Sequence, residues 1–265
     1  MSSFADATAV QLDGDGRYRA AVAEGWDIAG NANGGYLLAL AARALSDATG
    51  RSDPATATAH YLAPATAGPV TITTEVLKAG KRFTTASARI DGPDRPLLAV
   101  LASFTDLSDG APSVERIDSA PPELPDPADC IPTVSDDGFP KPFMNHVELR
   151  LHPDDSGFAT GAPSGEPLVR GWFRLPDSEP VDTLALLCAV DAFPPTAFNA
   201  ALPVAWTPTL ELTAHVRARP KPGWLRCQFR SRFVSAGFLE EDGEVWDAAG
   251  RLVAQSRQLA LVPRP

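Results

Sequence analysis

Hydrophobic positions along the chain form two matching series, each an apolar helix followed by a run of strands. Residues 34–45 read Gly-Gly-Tyr-Leu-Leu-Ala-Leu-Ala-Ala-Arg-Ala-Leu. They are apolar on nearly every side, so the helix they predict belongs in the interior and not on a surface. Asn33 stands where its N-cap is needed. Residues 183–192 predict a second helix, with Asp182 as its cap and Pro194-Pro195 as its stop. After the first helix come β-rich runs over 70–77, 83–90 and 97–105; after the second they cover 207–217, 225–234, 237–246 and 251–262. Turn residues at Lys78-Ala79-Gly80-Lys81, Asp91-Gly92 and Ala249-Gly250 separate them. The fold class that satisfies this pattern is α+β, two units each with a buried helix wrapped by a curved antiparallel sheet.

A weak internal repeat supports the doubling. Ala59-His60 corresponds to Ala214-His215, Gly68 to Gly223, and Pro96-Leu97-Leu98-Ala99 to Arg251-Leu252-Val253-Ala254, all at an offset of 155 residues. Three matches in one register point to duplication. Between the halves, residues 106–143 carry eight prolines and no sustained periodicity, as a linker or surface strap does. The expected division is a first unit over 1–108, a proline-rich linker over 109–140 and a second unit over 141–265.

Composition narrows the function. The net charge is −10, and no basic block exceeds Lys81-Arg82, so the clustered cations of a nucleic-acid surface are absent. No apolar run is long enough to cross a membrane, and residues 1–7 lack a secretory pattern. Cys130, Cys188 and Cys227 are too scattered for a disulfide framework, and the four histidines show no metal-binding spacing. A cytoplasmic protein with no metal, no membrane and no nucleic-acid partner is expected.

Asp191 is the least comfortable residue in this pattern. It shares a helix face with Leu184, Leu187 and Cys188, and it lies in the last turn, where the helix dipole disfavours negative charge. Such a carboxylate serves a task, sits in a buried ion pair, or escapes to water where the helix stops. Thr209 begins a strand on which it falls with Glu211, Thr213 and His215, opposite Leu210, Leu212, Ala214 and Val216. Gln258 lies on a face of small and apolar residues and must find partners there, structural or substrate. Asn33-Gly34-Gly35 offers uncovered N–H groups that could bind an oxyanion, or is simply a tight turn into a helix. Asp13-Gly14-Asp15-Gly16 lacks the later ligands of a calcium loop, and Gly161-Ala162-Pro163-Ser164-Gly165 is no nucleophile elbow.

Several segments together resemble the acyl-CoA thioesterase-like family with two fused hotdog units, which includes the bacterial type II acyl-CoA thioesterases. The first unit contributes Asn33 to Ala41, His60-Tyr61-Leu62-Ala63-Pro64, Val76 to Lys81 and Ala102-Ser103-Phe104. From the second come Leu187-Cys188-Ala189-Val190-Asp191, Thr209-Leu210-Glu211 and Leu252-Val253-Ala254 leading to Gln258. The sequence departs from the type II pattern directly after the glutamine, where Leu259-Ala260 replace an acidic residue and glycine. The resemblance implies a double hotdog that hydrolyses an acyl-CoA or acyl-carrier thioester without a cofactor. It puts Asp191, Thr209 and Gln258 around the attacking water, with Asn33, Gly34, Gly35, His60 and Tyr61 at the substrate. It implies one such site per chain, since Arg43 lies near the position equivalent to Asp191, and a homodimer or larger homo-oligomer. The alternatives are a non-catalytic acyl-thioester binding protein and a hotdog hydratase or dehydratase, for which His60 or His215 would serve.

Overall fold

Asn33 caps the first helix as its sequence predicts, its side-chain oxygen accepting the Tyr36 N–H at 2.9 Å. The computed structural model describes residues 2–108, 114–133 and 142–263. Helix α1 (Gly34–Thr49) runs one turn beyond the expected end, and Leu37, Leu38, Leu40 and Leu45 are all buried. Each such side chain contributes roughly 1.5–3 kcal/mol on burial. Helix α2 (Ala185–Ala189) is shorter than expected at both ends, although Asp182 does accept the Ala185 N–H at 2.7 Å.

One antiparallel sheet wraps both helices. In chain order its main strands are β1 (Arg17–Val22), β2 (Asp53–Tyr61), β3 (Gly68–Ala79), β4 (Thr84–Asp91), β5 (Pro96–Thr105), β6 (Glu148–Leu151), β7 (Leu168–Arg174), β8 (Thr209–Val216), β9 (Leu225–Arg230), β10 (Phe238–Trp246) and β11 (Leu252–Leu261). Their spatial order is β1-β3-β4-β5-β2-β8-β11-β10-β9-β7-β6, with short strands Gln11–Leu12 and Ile131–Pro132 at the two ends. The two units therefore share a continuous sheet, joined where β2 pairs with β8.

That seam carries the duplication. Thr58 pairs with Thr213, its own counterpart in the repeat, and their hydroxyls are 2.9 Å apart. A residue can pair antiparallel with its own copy only on a pseudo-two-fold axis. Gly68 and Gly223, also counterparts, share a backbone that side chains seldom adopt, with φ of +145° and +129°. Four strands escape the sequence pattern: β1, β2, β6 and β7. Strand β2 reads Asp-Pro-Ala-Thr-Ala-Thr-Ala-His-Tyr, and its buried Ala57 and Ala59 are too small to stand out as a hydrophobic alternation.

Part of the proline-rich stretch, 109–113 and 134–141, lies outside the described residues. What is described lies against the second unit. The Pro125 carbonyl accepts the Trp172 indole N–H at 2.9 Å, and Ile131–Pro132 pairs with β6. The units also interlock through Trp26, whose ring stacks on Tyr36 at 4.9 Å and on His146 at 4.7 Å.

A second tie is ionic. Asp53 is buried at the start of β2 and accepts from Arg219 at 2.7 Å, from the Thr183 hydroxyl at 2.9 Å and from the Leu107 N–H at 2.8 Å. Burial alone would raise its carboxyl, but Arg219 and the other donors outweigh that and hold it below the usual carboxylate range. Its stabilising contribution is therefore present above the unfolded pKa and is lost as pH falls through the folded one. We expect Asp53→Ala to lower stability by about 2–3 kcal/mol in urea, less than a fully buried pair because Arg219 keeps access to water. The gap between parent and variant should close at acidic pH.

Candidate active site

The end of α2 abuts the start of α1. A Cβ on Gly35 would lie 2.6 Å from the Leu187 carbonyl oxygen and 2.8 Å from the Asp191 Cβ. The two glycines therefore serve close approach, and this contact delivers Asp191 across the junction between the units. Its Oδ2 accepts the Gly35 N–H at 2.8 Å, and the Asn33 amide donates to its backbone carbonyl at 2.8 Å and to Oδ2 at 3.3 Å. The dipole penalty of its own helix is thus answered by the positive end of the other one. Asp191 is neither in an ion pair nor released to water. It is a carboxylate held at a foreign helix N-terminus.

This arrangement corrects one expectation. The first-turn N–H groups were expected to be free for a thioester oxygen. The Gly35 N–H is instead given to Asp191 and the Tyr36 N–H to Asn33, while the Gly34 N–H also favours the Asp191 charge. Asn33, Gly34 and Gly35 hold the carboxylate.

Burial pushes the Asp191 carboxyl up to about 7, against the opposing pull of the Gly35 N–H. The negative charge of Glu241 raises it further, and Gly34 and Asn33 draw it back.

Thr209 does not lie on the face its spacing suggests. A β-bulge between Thr209 and Glu211 leaves Leu210 as the extra residue, so Thr209 opposes Ala260 and turns inward with Gln258. Its hydroxyl donates to Gln258 Oε1 at 3.0 Å. Gln258 Nε2 donates in turn to Glu241 Oε1 at 2.9 Å, and Glu241 Oε2 accepts the Thr196 N–H at 2.8 Å. Burial raises the Glu241 carboxyl above its usual value despite these donors. Sequence reasoning missed Glu241. Its only signal is a charged residue at an inward position of β10, between the buried Leu239 and Gly243, and the adjacent Glu240 and Asp242 conceal that position.

Tyr61 packs on the site. A Cβ on Gly34 would be 2.9 Å from its hydroxyl and 2.9 Å from Asp191 Oδ2. His60, its neighbour, is a correction. Side chains alternate along β2, so with Tyr61, Ala59 and Ala57 turned inward His60 turns outward, paired in register with Glu211. His215 is its repeat counterpart and is equally exposed. Neither histidine reaches Asp191, which removes the hydratase arrangement.

The corresponding place beside the start of α2 is chemically different. The bulge recurs between Pro54 and Thr56, at the repeat positions of Thr209 and Glu211. Pro54 stands in place of Thr209 and, by strand pairing, Ala102 in place of Gln258, which moves the repeat along this last strand by one residue from the offset of 155; Arg43 approaches Asp182 at 3.5 Å where Asp191 approaches Asn33. Among the described residues, the Thr209–Gln258 pair and the Asp191 carboxylate have no like-for-like counterparts at this second junction. A groove of about 580 Å3 on the outer face of the second unit, lined by residues including His215, Arg217, Asp242 and Arg257, lies across the sheet from Gln258. Its Arg257 is paired to Asp242 at 2.6 and 2.7 Å.

Comparison with known proteins identifies the family. Residues 22–105 match the family model of the acyl-CoA thioesterase N-terminal domain, and residues 122–262 match that of the C-terminal domain. The chain belongs to the acyl-CoA thioesterase family. A crystal structure of a candidate thioesterase II from Thermobifida fusca superposes with a TM-score of 0.90 at 34% identity, covering 100% of this chain and 98% of that one. An acyl-CoA thioesterase II from Mycobacterium marinum shares the fold, with a TM-score of 0.73 at 17% identity over 99% of each chain. An uncharacterized protein of Mycobacterium tuberculosis is 28% identical over 261 residues, covering 91% of this chain and 89% of its own length. Among the described residues no helix is long and apolar enough to cross a membrane, and no cluster of side chains suits a metal ion.

The close approach of the helices makes a direct prediction for this thioesterase-family chain. Gly35→Ala should cost about 1–3 kcal/mol by overpacking, because the new methyl meets the backbone of α2. Chemical denaturation checks it, and a variant as stable as the parent would contradict the contact.

Proposed function

We propose that the protein hydrolyses an acyl thioester, carried by coenzyme A or an acyl-carrier protein, with Asp191 as general base and Thr209 and Gln258 orienting the water. The observation that carries this reading is Asp191 itself, a half-buried carboxylate at the unit junction whose pKa is raised to about 7. A base with that affinity takes a proton far more readily than an ordinary carboxylate and is still half ionised near neutrality.

The chemistry asks little else. Water adds to the thioester carbon as Asp191 accepts its proton, and the tetrahedral intermediate expels the thiolate. The released thiolate takes the proton from Asp191, which regenerates the base and leaves a thiol and a carboxylic acid. Glu241 fixes the Gln258 amide by accepting from Nε2, which leaves Oε1 to receive the Thr209 hydroxyl proton. The oxygen of Thr209 is then turned to accept from water. This is orientation of the nucleophile rather than proton transfer. Asn33, Gly34 and Gly35 hold the base, Tyr61 closes the wall beside it, and no cofactor takes part. The protein works in the cytoplasm in this reading, as a homodimer or larger homo-oligomer. Exposed Leu101 and Leu259 on the outer sheet faces support self-association, and light scattering should report a particle larger than 28.0 kDa.

Thiol release from acyl-CoAs of graded chain length tests the reading. Asp191→Asn should lower kcat by about two to four orders of magnitude with KM little changed. Thr209→Ala and Gln258→Ala should do less, and non-additively with Asp191→Asn. Because the active form is the ionised one, kcat/KM should rise as pH passes through about 7 and level off above it. With its folded pKa raised, Asp191 opposes folding increasingly as pH rises from the ordinary carboxylate value and fully once it passes about 7, so Asp191→Asn should melt higher than the parent at pH 8. Saturable acyl-CoA binding without thiol release would favour a binding protein instead.

A further inference from the structure

The hydrolysis just proposed still lacks a donor for the thioester oxygen. As water adds, the carbonyl π electrons move to that oxygen, and a positioned hydrogen bond is worth most at that moment. The first turn of α1 is the obvious source and is already committed, with its N–H groups serving Asp191 and Asn33. The Asn33 amide is committed too, to the backbone and carboxylate of Asp191. The Thr209 hydroxyl donates to Gln258, and the Gln258 amide donates to Glu241.

One hydroxyl remains. Tyr61 Oη is sealed from solvent and has no hydrogen-bond partner among the described residues. Buried polar groups almost always find a partner, so an orphan beside a candidate base calls for a cause. Its position is restricted: Oη and Asp191 Oδ2 each lie 2.9 Å from the same point, the place of a Cβ on Gly34. They are therefore no more than twice that distance apart, so the hydroxyl and the candidate base border the same small region beside Gly34.

Resting on the hydrolase reading, we propose that the Tyr61 hydroxyl is the oxyanion donor of this site. Asp191 removes the proton of the attacking water, the new C–O bond forms, and the carbonyl oxygen takes the electron pair while accepting the Tyr61 O–H. When the C–S bond breaks, the pair returns to carbon, the thiolate leaves, and the hydroxyl keeps its proton throughout. Burial, with the charges of Asp191, Glu211 and Cys188, raises the Tyr61 pKa well above the usual phenol value, so the group stays a donor at any working pH. Gly34 is required by the same geometry, because a side chain there would fill the space that the carboxylate and the phenol share.

The test is Tyr61→Phe in the full chain, followed by thiol release from an acyl-CoA that the parent hydrolyses and by thermal melting. Loss of an oxyanion donor should lower kcat by about 10²–10³-fold while KM stays within about two-fold. Melting should be unchanged or higher, because the variant removes an unpaired polar atom from the interior. The acid limb of the pH profile should keep its midpoint near 7, since Asp191 remains the base. A variant with the parent's kcat overturns the assignment, as does one that loses its fold, because an unpartnered hydroxyl cannot be holding the structure together. A parent that releases no thiol from any acyl-CoA or acyl-carrier-protein thioester overturns the hydrolase reading and this role with it. A parent that hydrolyses and loses activity as Asp191→Asn, but not as Tyr61→Phe, refutes the role of Tyr61 alone.

Discussion

The site depends on one contact, the end of α2 pressed against the start of α1. Each helix alone has an electrostatic problem there: α2 ends in a carboxylate that its dipole repels, and α1 begins with N–H groups that lack carbonyl partners. Bringing the two ends together answers both, through the Gly35 N–H on Asp191 Oδ2 and the Asn33 amide on the Asp191 carbonyl. Glycines at 34 and 35 allow it, since even one methyl at 35 would meet the backbone of α2. The base is thus a product of the interface between two units, and neither unit alone would hold it.

Duplication supplied two such junctions, and they have diverged. The pseudo-two-fold axis at Thr58 and Thr213 generates matching bulges, but the residues they present differ. Thr209 and Gln258 converge in one copy, where the other offers Pro54 and Ala102. The second junction carries Arg43 facing Asp182, with Asp53 clamped nearby by Arg219 and Thr183. One junction holds the candidate base and its twin a structural tie. A raised carboxyl pKa marks the first and a lowered one the second: burial dominates at Asp191, whereas Arg219 and the other donors outweigh burial at Asp53.

Much of the fold was legible because its largest elements are strongly patterned. The helix over Gly34–Thr49 is apolar all round, and most long strands carry clear apolar runs or turn residues at their ends. Strand β2 was not legible, because alanine and threonine alternate there with little contrast in polarity, yet it forms the seam and carries Tyr61. The site was legible where a residue contradicts its surroundings: a carboxylate on an apolar helix face, an amide among small residues. It was not legible where geometry departs from simple alternation. A single extra residue at Leu210 turns Thr209 to the face of Gln258, and spacing alone put it on the other. His60 failed for the opposite reason. Alternation holds in that stretch of β2, so a histidine next to an inward tyrosine has to face out. Glu241 is hidden by its own neighbours, because one inward acid among outward acids has no distinct signature.

The two buried acids also explain why this site would work near neutral pH and at what cost. Asp191 and Glu241 come from different elements, yet the charge of Glu241 disfavours ionisation of Asp191 across the low-dielectric interior. Glu241 is held by Thr196 and Gln258, so its position is fixed by the framework that orients the water. Its charge reaches Asp191 and raises the basicity of the group that would accept the water's proton. Orientation and basicity therefore share a source. The same burial makes the ionised site less stable than the protonated one, and this is where Asn33 and Gly35 matter. Their donors stabilise the carboxylate enough to let it ionise near neutrality, but not so much that it reverts to an ordinary aspartate. The hydrogen bonds that seem merely to anchor Asp191 are therefore also what sets its strength as a base.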